Sequence, residues 1–514
     1  MILEKFQTDK YDNELVFINP DITLGELKQY ISYQCKEFEK SEIKNIILFG
    51  SDYFNFAINF FAAAFTSKQI YLISDKERLK LLNVDYLIPD NAKKLNERIN
   101  INNIQPKDIL INFFTSGSTG EPQNIQKNLY NLEVEARTTI EEFNLKSDRI
   151  FVATTSWAHS FGIVFDFILP FGYGCRINKK RIDFPEQLDF EDNYILISTP
   201  SFMEKLAKYD YTFYKSPEKI FLAGAKLKPE IIDYFKQYTD LIDIYGSTET
   251  GNIAYKRGYT NFTPFKDVEV TTDNKSQAII KSEYFPQEQA LLSDIIEFVN
   301  DKEFVFKKRS DRIVKVFEKR ISLDEIETNL KKHNKVKDCY CFMYNDKLAC
   351  IVSTDDISLE KADLKHFLTN YGEVVPKKWR LVDELPKTAT GKIDRSKLLK
   401  LFGMNQSLPF VISKTIEHNE ANITLIFKRS SNFFNGHFDM MSILPGVVQL
   451  YYAKFFADNI FNIEIPPKEV KRVKFSNIIR PDTPVTLTLK NNENSVEFAY
   501  MTDAKTYSSG IFVK

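Results

Sequence analysis

The stretch NIILFGSDYFNFAINFFAAAFTSKQIYLI, residues 45–73, decides the fold class of the long first part of the chain. Its ends, Asn45 to Phe49 and Gln69 to Ile73, are short β-rich runs, whereas the apolar middle from Tyr53 to Phe65 is too long for an ordinary strand. Ser51 is a candidate N-cap for that middle segment. Strand, helix and strand in this order form a βαβ unit, which implies parallel pairing. The same grammar recurs at Ile109 to Phe114, Ile150 to Thr154, Tyr194 to Ser198, Lys219 to Leu222 and Leu241 to Tyr245. Residues 1–307 are therefore expected to form one large α/β domain.

Further along, residues 308–400 alternate charged helix patterns, such as Leu323 to Lys332, with strand runs such as Cys339 to Tyr344 and Lys347 to Ser353. A small α+β lid subdomain is expected there. After a linker at 401–409 the pattern changes again. Runs at Ile423 to Lys428, Val470 to Ile479, Pro484 to Leu489, Ser495 to Met501 and Thr506 to Val513 surround a single helix pattern, Gly446 to Ile460. Residues 410–514 are expected to set one helix against an antiparallel sheet.

The 514 residues carry 69 Lys+Arg against 70 Asp+Glu, a formal net charge of −1. That length suggests about three units, and that balance argues against a dedicated nucleic-acid binder, which would be basic along one face. Cys35, Cys175, Cys339, Cys341 and Cys350 are too scattered for a disulfide framework and are expected as free thiols in a reducing compartment. The opening residues hold no apolar signal segment. The most apolar stretch, Tyr53 to Phe65, is interrupted by Asn55 and Asn59 and is too short to cross a bilayer. A soluble cytoplasmic protein without a membrane partner is the expectation.

One loop carries the first chemical signal. Phe113 to Pro122 ends a strand in Thr115-Ser116-Gly117-Ser118-Thr119-Gly120, hydroxyls and glycines that can turn backbone N–H groups and side chains onto phosphate oxygens. From this loop onward the sequence resembles the adenylate-forming superfamily of acyl-CoA synthetases, aryl-acid ligases and peptide-synthetase adenylation domains. The resemblance continues in order through Leu222-Ala223-Gly224-Ala225, Tyr245-Gly246-Ser247-Thr248-Glu249-Thr250-Gly251, Leu292-Ser293-Asp294, Arg309-x-Asp311 and Pro386-Lys387-Thr388-Ala389-Thr390-Gly391-Lys392. It implies ATP and Mg²⁺ as cofactors, with Thr248 on the α-phosphate, Glu249 on the metal, and Tyr245, Gly246, Gly224 and Ala225 around the nucleotide. It also implies Asp294 on the ribose, Arg309 among the cofactor-binding residues at the entry to the hinge, Asp311 as the hinge and Lys392 as the catalytic lysine. Trp157 to Gly162 resembles the family segment beside the carboxylate pocket, so His159, Gly162 and Ala223 are candidate substrate contacts, with Phe161, Phe165, Phe167, Phe171 and Tyr173 as candidate lining. Two departures stand out: Gln123 replaces the lysine after the loop proline, with Lys127 as a stand-in, and Glu318 occupies the usual glycine of the loop after the hinge.

The last domain carries a second constellation. Gly436-His437-Phe438, followed by Leu444-Pro445-Gly446-Val447-Val448-Gln449, puts a histidine ahead of a helix start whose backbone N–H groups can polarise a thioester carbonyl. With its one-helix pattern this segment resembles the β-hydroxyacyl carrier-protein dehydratases of the hot-dog fold. That resemblance implies His437 as base, Gly446 at the thioester carbonyl and a homodimer. Tyr451 aligns with the family's acidic residue and is a much weaker acid. Lys468, Lys471, Arg472, Lys474 and Arg480 are candidates for docking an acyl carrier protein.

The pairing resembles the ligase and dehydratase components of aryl polyene and flexirubin-type pathways. It implies ATP-dependent activation of a carboxylic acid, an aryl acid first, and transfer to a phosphopantetheine thiol of CoA or a carrier protein supplied in trans. A fatty-acyl ligase with a lipid-synthesis dehydratase and a non-catalytic carrier-protein scaffold are the alternatives.

Overall fold

The computed structural model describes residues 2–514 except 51, 75–78, 80–81, 83, 90–92, 96–103, 117–121, 191–192, 317–318, 357, 372–373, 389–391, 404–408, 435–437, 439 and 466–469. Residues 45–73 fold as a βαβ unit: Asn45–Phe49 and Gln69–Ile73 pair in parallel, with Ile46 opposite Ile70. The helix between them, Tyr53–Phe65, buries 11 of its 13 residues, and a helix apolar on all sides is stable only when enclosed. Its N-cap is Asp52, whose carboxylate accepts from Asn55 N at 3.1 Å; the proposed cap Ser51 lies outside the described residues.

Among the described residues the α/β region contains two principal sheets. One runs in the order Tyr86–Leu87, Asn45–Phe49, Gln69–Ile73, Leu110–Ser116, Pro122–Asn128. The other has Leu15–Ile18, Arg176–Asn178, Ile150–Ala153, Tyr194–Ser198, Lys219–Leu222 and Asp240–Ser247 as consecutive parallel neighbours. Neither sheet is wholly parallel, which corrects the simple βαβ expectation. Pro122–Asn128 returns antiparallel on Leu110–Ser116, and Gly251–Arg257 does so on Asp240–Ser247. In each case the strands are consecutive in the chain and a few residues apart, a separation that antiparallel pairing allows and parallel pairing does not. A separate antiparallel sheet, Glu269–Thr272, Gln277–Lys281, Ala290–Asn300 and Glu303–Arg309, follows.

The chain divides into two compact units. Residues Met1–Asp311 with Lys387–Lys392 form the first, and Arg312–Pro386 with Ile393–Lys514 form the second. The second unit holds the small sheet Asp338–Tyr344, Lys347–Ser353, Lys378–Val382 and the hot-dog sheet. The latter has the order Phe410–Glu417, Glu420–Ile426, Pro484–Asn491, Ser495–Thr502, Lys505–Val513, Val470–Phe475, all antiparallel. The helix Gly446–Phe461 packs on it, burying Gln449, Tyr452, Ala453, Phe456 and Ala457. Two differences from the sequence reading have physical causes. Phe410–Glu417 is an edge strand exposed along its whole length, so it lacks the buried-face alternation that marks a strand. Val470–Phe475 ends four residues before Ile479, where Ser476 N and Asn477 N both turn onto the Tyr507 carbonyl and the ladder stops; within the strand Arg472 adopts φ +55° and the register shifts between Lys471 and Lys474.

Candidate functional site

The hairpin of Asp240–Ser247 and Gly251–Arg257 sets Ser247 opposite Gly251, so Thr248 and Glu249 stand at its tip. Ser247 Oγ closes the tip by accepting from Thr250 N at 3.3 Å. Gly246 has no space for a side chain, since a Cβ there would lie 2.2 Å from the Gly251 carbonyl oxygen. Gly251 has φ +74° and a Cβ on it would meet Glu135 Oε2 at 2.7 Å. Glu135 in turn supports the hairpin, its Oε1 accepting from Asn252 N at 3.0 Å.

Glu135 is buried, and that burial pushes its carboxyl up to about 7 against the opposing effects of Lys127 and the Asn252 N–H. Lys127 is 1% exposed and its ammonium has no hydrogen-bond partner among the described residues. Burial lowers its pKa, with Glu135 and then Glu249 opposing. Lys127, the expected stand-in for the lysine that Gln123 replaces, thus sits buried with Glu135 and Glu249 as the charges acting on it.

Three of the expected nucleotide residues meet directly. The Tyr245 hydroxyl donates to the Asp294 carboxylate, and Arg309 Nη1 donates to Asp294 Oδ1 at 3.0 Å. Arg309 also donates from Nε and Nη2 to Asp311 Oδ1 and Oδ2, at 3.0 and 2.8 Å. Burial, then Asp294, raises the Tyr245 phenol, so it remains a donor. The guanidinium is raised first by its hydrogen bond with Asp311. The arrangement presents a fixed carboxylate that already accepts one hydrogen bond on each oxygen.

A cavity of about 110 Å³ opens beside the hairpin, lined among others by His159, Phe161, Ala223, Gly224, Thr248 and Lys392. Gly162 also lines it and sits where a Cβ would lie 2.3 Å from the Ser156 carbonyl oxygen. Gly224 takes φ +103°, a conformation that favours glycine, and Ala225 follows it, exposed. Much of the Lys392 side chain is open to solvent, yet its ammonium lies deep within surrounding protein. That burial lowers its pKa first, Glu249 opposes, and Arg309 adds to the lowering. The loop residues Thr115 and Ser116 end the strand Leu110–Ser116; their side chains, and Gly117, Ser118, Thr119 and Gly120, lie outside the described residues, as do the Gln123 side chain and Glu318.

The wall bearing His159 is braced by a network that the sequence reading missed. Trp157 Nε1 donates to Asp166 Oδ2 at 2.7 Å, Tyr53 stacks on Trp157 with centroids 3.9 Å apart, and the Tyr53 hydroxyl donates to Thr155 O at 2.5 Å. Asp166 is fully buried on a π-helical turn, Val164–Ile168, and burial holds its carboxyl well above the usual range against the hydrogen bond from Trp157. A single acid between two phenylalanines in Phe165-Asp166-Phe167 was the available signal. Of the proposed ring lining, Phe161 reaches the cavity, whereas Phe165, Phe167 and Phe171 are core and Tyr173 is exposed.

Glu249 is exposed at the hairpin tip, and no group of three potential ligands occurs among the described residues. A lone carboxylate fits Mg²⁺, which takes one or two protein oxygens and completes its shell with water and substrate phosphates.

In the hot-dog domain Gly446 opens the helix behind the cap Pro445, and a Cβ on it would lie 2.5 Å from the Phe475 ring. Tyr451 lies on that helix and is exposed; His437 and Lys468 lie outside the described residues. Gln449, also missed, is the buried polar centre: its Oε1 accepts from Ser508 Oγ at 2.6 Å, its Nε2 donates to Leu444 O at 3.0 Å, and its carbonyl accepts from the Tyr500 hydroxyl at 3.0 Å.

The AMP-binding enzyme family matches residues 20–278, half of the chain. The chain belongs to that family. The AMP-binding enzyme C-terminal domain matches residues 325–392 of this AMP-binding enzyme, and the ApeI dehydratase family, ApeI-like, matches 413–511. It is thus an adenylate-forming acid ligase with an ApeI-like hot-dog domain. A D-alanine–D-alanyl carrier protein ligase of Staphylococcus aureus is 26% identical over 360 residues, covering 58% of this chain and 72% of that protein. The anthranilate CoA ligase AuaEII, solved with anthranoyl-AMP, is 18% identical with a TM-score of 0.60 over 78% of this chain and 96% of its own. The O-succinylbenzoate coenzyme A synthetase of Bacillus subtilis, solved with ATP and magnesium ion, is 14% identical with a TM-score of 0.60 over 77% and 98%. These last two likenesses establish the fold.

Proposed function

We propose that this AMP-binding enzyme activates a carboxylic acid, an aromatic one first, with ATP, and passes the acyl group to a phosphopantetheine thiol. The observation that carries this reading is the convergence of Lys392, His159, Phe161, Gly224 and Thr248 on one cavity. A carboxylate oxygen of the acid attacks the α-phosphorus, a new P–O bond forms, and the bond to pyrophosphate breaks. Negative charge accumulates on oxygens throughout, so fixed donors and a nearby ammonium lower the barrier. Lys392 supplies that ammonium, with Thr248 as a donor to the α-phosphate and Asp294 as acceptor from the ribose hydroxyls. Glu249 would hold Mg²⁺, which would neutralise charge on the phosphates. Phe161 on the wall of that cavity gives an aromatic acid a ring to pack against. The likeness to a carrier-protein ligase supports a carrier protein over free CoA as acceptor.

The ApeI-like domain dehydrates 3-hydroxyacyl thioesters in this reading, with His437 as base and the Gly446 amide at the carbonyl. Tyr451 is a hydrogen-bond donor there. Two copies pair through this domain: Val447, Tyr451 and Met440 expose apolar surface near the helix start, and the edge strand Phe410–Glu417 is uncovered. No helix among the described residues is long and apolar enough to cross a membrane.

Pyrophosphate exchange with a panel of aryl and fatty acids tests the ligase. Exchange with aryl acids that is lost in Lys392→Ala is expected; no exchange with any acid, or full exchange and thioester formation in Lys392→Ala, overturns it. Enoyl thioester formation that survives His437→Ala overturns the second assignment.

A further inference from the structure

The lid subdomain and the hot-dog domain meet through a buried polar contact rather than a wet surface. Glu360 caps the lid helix Lys361–Asn370, its backbone N–H donating to Asp363 Oδ2 at 3.0 Å. That leaves its carboxylate for the other domain. Oε2 accepts from Ser442 Oγ at 3.0 Å and from Ser442 N at 3.3 Å, and Oε1 accepts from Arg480 Nη2 at 2.5 Å. Glu360 and Ser442 are both buried. Beside them Lys361 Nζ donates to Phe434 O at 3.3 Å, and Arg429, itself paired with Asp482 at 2.6 Å, donates from Nη1 to Asp356 O at 3.0 Å.

A carboxylate enclosed away from water is tolerable only when its oxygens are satisfied, and removing its partners is costly. Such a contact does not open and close freely. Its location matters as well. Ser442 lies four residues before Gly446, Leu444 N donates to Ile479 O at 2.9 Å, and Arg480 follows Ile479 directly. The lid carboxylate therefore grips both the segment that delivers the chain to Pro445 and the helix start and the neighbouring segment hydrogen-bonded to it.

We propose that Glu360 is a positioning residue of the hot-dog site: it fixes the 442–446 lead, and with it the Gly446 amide, and so makes the lid and the hot-dog domain a single body. The positioning half rests on the dehydratase reading given above. A misplaced oxyanion donor costs rate without weakening substrate binding equally. The acyl-handling domain thus travels wherever the ligase lid travels.

The test uses the full chain. All five cysteines are buried, so spin labels at Asn370→Cys and Asp503→Cys report the separation of lid and hot-dog domain. A single narrow distance distribution is expected, unchanged by ATP and acid, and broadened in Glu360→Ala combined with Arg429→Ala. In parallel, Glu360→Ala is expected to lower kcat for enoyl thioester formation by about tenfold or more with KM little changed, Glu360→Gln to recover part of it, and pyrophosphate exchange to stay at the wild-type level. A broad wild-type distribution, or a narrow one that the double variant leaves intact, overturns the single body. An unchanged kcat in Glu360→Ala overturns the positioning role. If wild type turns over no 3-hydroxyacyl thioester, the dehydratase reading fails by itself, and hydrogen exchange across 442–448 decides the positioning: faster exchange in Glu360→Ala supports it and equal exchange overturns it.

Discussion

Asp166 offers a test in which charge, burial and pH all make the same demand. The side chain is fully buried, accepts from Trp157 Nε1 at 2.7 Å, and is held well above the ordinary carboxylate range, burial being the first cause. In the unfolded chain its pKa is about 3.9, so unfolding above that pH releases a proton that the folded protein keeps. Its contribution is fully present below the unfolded pKa and is lost as pH rises, by about 1.4 kcal/mol per pH unit until the folded pKa is passed. Asp166→Asn retains an acceptor for the indole and carries no proton, so it removes this slope. From pH 5.5 to 7.5 the stability difference should move toward the Asn variant by as much as about 3 kcal/mol. Asp166→Leu strands the Trp157 N–H and should cost about 1–3 kcal/mol more than Asn at every pH. The protein has two tryptophans, one in each unit, and in a Trp379→Phe background Trp157 fluorescence during urea unfolding follows the first unit alone. A wild-type minus Asn difference that stays flat across this range means the acid is ionised when folded, and the account of the bracing network fails.

Lys127→Met removes the charge that opposes the upward shift of the Glu135 carboxyl, so between about pH 6 and pH 8 the same unit should lose more stability than wild type as pH rises in that unfolding assay; adding Glu135→Leu should remove that extra pH dependence. In Gly246→Ala the new Cβ meets the Gly251 carbonyl and must spread the hairpin that presents Thr248 and Glu249, so pyrophosphate exchange should fall by about a hundredfold, with circular dichroism retained. Tyr245→Phe removes a donor to the Asp294 carboxylate, and KM for ATP should rise by about tenfold while KM for the acid stays fixed.

Local order was legible in the sequence wherever a pattern is written into consecutive residues. The run from Asn45 to Ile73 declares a βαβ unit because side-chain period and length are local quantities. The strands Tyr194–Ser198, Lys219–Leu222 and Lys347–Ser353 fall where their β-rich runs lie, and Tyr245, Asp294 and Arg309 could be singled out by motif. Their meeting could not. Asp294 and Tyr245 converge only because two sheets deliver them to one point, and nothing in either segment records the 3.0 Å contact between Arg309 and Asp294. The same holds for Lys127 and Glu135, whose burial no local pattern records, and for Asp166, whose carboxyl is raised by the burial around it. Glu360 is the extreme case. By itself it is an acidic residue ahead of a lid helix, and only tertiary packing, by shielding it from water, makes its oxygens depend on Ser442 and Arg480. Spacing and residue type thus determined which chemistry the chain can carry, whereas the distances and the local dielectric that decide what each group does exist only after distant segments have packed.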